Sequence, residues 1–196
     1  MKTSLLVPVE PRAAAARRWT VPALALALGV VTTLFRIATL GGSLGGFDDD
    51  HFVSFAYAKQ VQAGELPLRD FQGISLSGMW PQVGFLTSAA AQDLFGDNLR
   101  TEAWVSAIGM GIGAALTFVA AARFSPLTWS TAATMLAVLL APKLYGYSKV
   151  VVLAGGALLL ISYATRPSAA RAGALGALTA VAFLYRHDFA VYVGAG

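Results

Sequence analysis

Val21 to Leu40 is twenty residues long, and Arg36 is its only ionisable side chain. A helix of that length spans about 30 Å, the thickness of one bilayer hydrocarbon core. Four further apolar runs follow: Glu102–Phe124, Pro126–Pro142, Val150–Thr165 and Ala172–Tyr185. Apolar runs at this spacing predict packed helices that cross a membrane, an all-α polytopic fold. Composition agrees, since only 12% of the residues are charged and 57% are hydrophobic. A soluble domain carries roughly a quarter charged residues. There is no cysteine, which excludes disulfides and thiolate chemistry. The net charge of +4 is spread along the chain, without the clustered cations of a nucleic-acid reader.

A cleaved signal peptide also has a basic start and an apolar centre. That centre is about 7–15 residues and precedes a small-residue cleavage site. The first run here is longer and no such site follows, so it reads as a retained span. Arg36, one turn from its far end, is expected to snorkel outward.

The chain divides into a basic N-terminus (1–20), a first span (21–40), an outer loop (41–101), and spans two to five with the start of a sixth (102–196). It stops eight residues into an apolar run after Asp188, which reads as the first part of a longer protein. With the N-terminus inside, the inner segments hold Lys2, Arg12, Arg17, Arg18, Arg123, Arg166 and Arg171 against Glu10 alone. The positive-inside rule favours this orientation. An integral, multi-pass protein of the plasma membrane is expected, and the alanine-rich spans point to a bacterium. Three pieces then share the outer face: the long loop, "KLYGYSK" at Lys143–Lys149, and "YRHD" ending at Asp188.

The loop opens on Asp48, Asp49, Asp50 and His51. Acids suit the start of a helix, and Phe52–Ala63 reads as one, stopped by Gly64. Phe52, Phe55, Ala56 and Val61 are expected to share its apolar side. Pro81–Phe95, closed by Gly96, reads as a second amphipathic helix. Both are expected to lie along the membrane surface. Three aspartates exceed what a cap needs, and like charges so close make a carboxylate more basic. Such a group suits a general base for a hydroxyl. Hard oxygen ligands also suit Mg²⁺ or Mn²⁺, but no further ligands stand near, so no cofactor is expected. His51 reads as an ordinary interfacial polar residue. Gly109–Gly113, inside an apolar span, reads as helix packing and not as a phosphate loop.

The order of these parts resembles the glycosyltransferase C superfamily, integral-membrane enzymes that use polyprenyl-phosphate sugars. It is most similar to the protein O-mannosyltransferase and aminoarabinose transferase type, family 39-like. The most specific piece is the helix followed by Gly64, Glu65, Pro67, Arg69, Asp70 and Phe71. Most members resemble Asp-Glu or Asp-Asp at the acidic position, where this chain has three aspartates and His51. The resemblance implies a polyprenyl-phosphate-linked sugar as donor, and a base among Asp48, Asp49 and Asp50. It also puts Arg69 and Asp70 near the donor phosphate. Lys143, Tyr145 and Lys149 read either as interfacial anchors or as a phosphate site. Arg186, His187 and Asp188 read as a helix-closing cluster or as part of the site. Sugar, acceptor and choice of aspartate stay open. The alternative is a multi-pass transporter or lipid-handling protein without catalysis. That reading expects polar groups or broken helices among the spans, whereas this sequence keeps its ionisable groups at span ends.

Overall fold

The computed structural model describes residues 11–40, 49–65, 82–140, 147–185 and 187–195. They form helices and short connections, with no strand among them. The helices are α1 (Pro11–Leu40), α2 (Asp49–Gln62), α3 (Gln82–Phe95), α4 (Leu99–Ala121), α5 (Leu127–Leu140), α6 (Tyr147–Thr165), α7 (Ala169–Tyr185) and α8 (His187–Gly194).

The apolar runs all become helices, with shifted ends. α1 starts ten residues before the apolar run, at Pro11. Proline suits a first helical position, and Ala13–Ala16 are strong helix formers. Pro22 lies inside α1, where it removes one hydrogen bond without ending the helix. By length and composition, α1 over Trp19–Thr39 and α4 over Leu99–Ala121 are able to cross a membrane. α5, α6 and α7 contribute shorter apolar helices.

Glycine closes the two loop helices. Gly64 has φ +88°, its N–H reaches the Val61 carbonyl, and the Glu65 N–H reaches Gln60. This is a Schellman end, which needs a left-handed residue. Gly96, φ +105°, ends α3 with a bond from its N–H to Gln92. Two residues on, the Asn98 side chain accepts from the Thr101 N–H and starts α4. α3 and α4 are thus joined by a turn that folds α3 back onto α4.

Small residues set the packing of the long helices. α1 and α4 run antiparallel, with Gly29 against Gly111 and Thr33 against the Ala107 carbonyl. Ala25, Leu28, Phe118 and Ala122 bury the lower half of that contact. α6 runs parallel to α4, with Val150 on Gly113 and Gly155 beside Leu116. Gly113 is well inside α4, whereas Val150 is in the first turn of α6. α6 therefore starts roughly 16 Å below the head of α4, measured along α4. Val152, Ala182 and Val193 join α6, α7 and α8. The reading of Gly109–Gly113 as a packing surface agrees with these contacts.

The face of α2 differs from expectation. Tyr57 and Ala58 are buried, Val53 and Val61 pack beside Tyr57, and Phe52 and Ala56 are exposed. The stripe 53, 57, 61 has a four-residue repeat, and it meets Phe85 of α3. Phe85 is fully buried, its ring centroid 4.5 Å from that of Tyr57. The partner helix, not the larger apolar count, decides which side turns in.

Candidate functional site

α2 and α3 run in the same direction. Tyr57 meets Phe85, and one to two turns later the Gln62 amide donates to Asp93 Oδ1 at 2.8 Å. Lys59 pairs with Asp97 and donates to Gln62 Oε1 at 2.8 Å. These exposed contacts add little energy but fix the register. Burial raises the pKa of Tyr57 above its ordinary value.

The C-terminal half of α3 is held by a buried carboxyl. Glu102, 3% exposed, lies in the first turn of α4. Its Oε2 accepts from Ser88 Oγ and its Oε1 from Gln92 Nε2, each at 2.6 Å. Ser88 and Gln92 are also buried, one turn apart on α3. The sequence reading missed this anchor. Its signal is an i, i+4 polar pair inside an apolar helix, ten and fourteen residues before a glutamate.

The N-terminal part of α3 is tied elsewhere: Thr87 and Tyr185 share a hydroxyl–hydroxyl bond of 3.1 Å. Tyr185 ends α7 and packs on the cluster that includes Val152, near the start of α6. α8 begins two residues later, at His187. These contacts set α3, beside the Tyr57–Phe85 pair, against the end of α7, where α8 begins. Asp49 and Asp50 head α2, Lys149 lies exposed in the first turn of α6, and His187 and Asp188 head α8. Each helix start carries a partial positive charge and free N–H groups, a setting that suits an anion.

Asp49 and Asp50 lie in the first turn of α2, Lys149 in that of α6, and His187 and Asp188 in that of α8. For Asp49, Asp50, His187 and Asp188 the backbone alone is described. Asp48, Arg69, Asp70, Lys143, Tyr145 and Arg186 lie outside the described residues, as do Phe71 and Trp80. Among the described residues, no three His, Asp or Glu side chains cluster as metal ligands would.

Arg36 corrects the snorkelling expectation. It is 8% exposed, and its Nη2 donates to the Val138 carbonyl at 2.8 Å. Val138 is in the last turn of α5, where carbonyls lack helical partners. Arg36 thus caps α5 and faces inward. Beside it lies a cavity of about 80 Å³, lined by Thr32, Arg36, Met110, Ala114, Thr134 and Val150 among others. Arg36 keeps its place near a helix end, but it is enclosed between α1, α4, α5 and α6 instead of reaching outward.

Comparison with protein-family models, with curated proteins and with solved structures found no match to this chain.

Proposed function

We propose that this chain belongs to a membrane glycosyltransferase. It moves a sugar from a polyprenyl-phosphate donor to an acceptor at the outer face of a bacterial plasma membrane. In this reading the helices cross the bilayer several times, with the N-terminus inside. The single observation that carries it is the Thr87–Tyr185 bond. It ties α3, next to its contact with Tyr57 of α2, to the end of α7, which supports a site shared by the helix headed by Asp49 and Asp50 and the returns after α7. The next helix begins there with His187 and Asp188.

In the proposed reaction, one aspartate among Asp48, Asp49 and Asp50 takes the proton of an acceptor hydroxyl. The hydroxyl oxygen bonds to the anomeric carbon as the carbon–oxygen bond to the phosphate breaks. The sugar inverts, and the polyprenyl phosphate leaves as an anion. Lys149, Lys143, Tyr145, Arg186, Arg69 and the starts of α6 and α8 suit stabilisation of that anion. His187, Asp188 and Asp70 would position these groups.

The test is sugar transfer from defined polyprenyl-phosphate sugars, in membranes carrying the full-length protein. Asp49→Asn and Asp50→Asn are assayed singly. Asn caps a helix about as well as Asp but is no base. Loss of a base lowers the rate about 10² to 10⁴-fold. Near-normal transfer in both variants would return the aspartates to a helix start. The second reading, a transporter, is favoured by one observation, the enclosed Arg36. Donor-independent movement of a solute in proteoliposomes would select it.

A further inference from the structure

Thr32 differs from four other threonines inside the helices. Thr33, Thr117, Thr134 and Thr179 each donate to the carbonyl four residues earlier, at 2.8–3.0 Å. Thr32 is 2% exposed, and among the described residues its hydroxyl meets no hydrogen-bond partner. A helix always offers that carbonyl, so the Thr32 hydroxyl has forgone a bond its neighbours make. Burying a hydroxyl without a partner is unfavourable.

Thr32 and Arg36 are one helical turn apart on α1 and line the same cavity. The guanidinium stays charged at every physiological pH, whatever its amino groups bond. Among the described residues, none that lines the cavity is acidic, and Met110, Ala114, Val138 and Val150 give it apolar walls. Its volume is about 80 Å³, several times the roughly 10–15 Å³ that one water needs. The cavity therefore joins a fixed positive charge, a hydroxyl lacking a partner and room for a small guest. We infer that it binds one small, weakly hydrated monovalent anion, held by the Arg36 charge and the Thr32 hydroxyl. Apolar walls cannot replace the many water contacts of phosphate or sulfate. They suit bromide, nitrate and, more weakly, chloride, which lose less on leaving water. This site is independent of the proposed transfer reaction.

The experiment uses the 196-residue chain in a neutral detergent. Ionic strength is held constant with gluconate while bromide, nitrate, chloride, phosphate or sulfate replaces it. The thermal unfolding midpoint is read throughout, and bromide NMR line width reports binding directly. Bromide and nitrate should raise the midpoint along a saturating curve, chloride should act at higher concentration, and phosphate and sulfate should add nothing saturable. Thr32→Val should lose at least tenfold in apparent bromide affinity, while in gluconate alone it melts no lower than the parent. Thr32→Ser keeps a hydroxyl and should keep the response. A response that rises without saturating, that is unchanged in Thr32→Val, or that is larger for phosphate than for bromide would overturn the site.

Discussion

Removing the Glu102 carboxyl tests how the α2–α3 pair is fastened. The carboxyl accepts two hydrogen bonds at 2.6 Å from side chains that water does not reach. Bonds to charged groups contribute about 1.5–3 kcal/mol each, and a buried group left unpaired costs about 1–3 kcal/mol. Glu102→Ala deletes both bonds and strands Ser88 Oγ and Gln92 Nε2. Those terms overlap, so the expected loss is about 3–5 kcal/mol. Glu102→Gln behaves differently. The Ser88 hydroxyl can turn and accept, since it is both donor and acceptor. In the alternative, the Gln92 amide rotates by half a turn and presents its Oε1, which has no partner among the described residues of the parent, to the new N–H₂ while Ser88 still donates. Both contacts then survive without charge assistance, at a cost of about 1–1.5 kcal/mol. Reversible unfolding in mixed micelles, followed by the fluorescence of Trp104 two residues away, measures both variants. If Glu102→Ala lies within about 0.5 kcal/mol of the parent, or Glu102→Gln is as damaging as Glu102→Ala, the anchoring argument fails.

Four shorter predictions follow. A Cβ on Gly111 would sit 2.5 Å from the Gly29 carbonyl oxygen and overlap Thr33 Oγ1, so Gly111→Ala should cost about 1–3 kcal/mol in the same unfolding assay. A Cβ on Gly173 meets nothing within 4 Å, so Gly173→Ala should be neutral or gain about 0.5–1 kcal/mol. Burial raises the pKa of Tyr57, so above about pH 10 the unfolded chain releases this proton before the folded one and stability falls with rising pH; Tyr57→Phe should remove that slope from the unfolding midpoint measured over pH 9–11. For topology, cysteines introduced singly by Ser43→Cys and Ser168→Cys should label from opposite sides with an impermeant thiol reagent, and labelling of the second from outside intact cells would reverse the orientation.

Local rules carried much of the fold. Each apolar run became a helix, because a helix satisfies the backbone hydrogen bonds within the segment itself. Gly64 and Gly96 marked helix ends, since a left-handed residue at that position is a local requirement. What failed was pairing. On α2, the apolar side was expected at Phe52, Phe55, Ala56 and Val61, and the position of Phe85 turns Val53 and Tyr57 inward beside Val61 instead. Arg36 near a helix end reads as a snorkelling cation until the last carbonyls of α5 lie within reach. Glu102 reads as one more outer acid until α3 folds back to bring Ser88 and Gln92 onto it. The aspartates heading α2 were legible as a helix start. The end of α7, which the Thr87–Tyr185 bond ties to α3, is 98 residues from Thr87, farther than any local signal extends.

The two fastenings of α3 become available at different times. Its bonds to Glu102 link residues 10 and 14 positions apart, so they can form as soon as α4 leaves the ribosome. Its bond to Tyr185 links residues 98 positions apart. Tyr185 follows Glu102 by 83 residues, so at a synthesis rate of about 5–20 residues per second the second fastening lags by about 4–17 s. For that interval α2 and α3 hang from α4 on one side only, with the start of α2 unmoored. A chaperone or insertase that shields this pair has those seconds in which to act, and a shortened α5–α7 segment would be expected to narrow them.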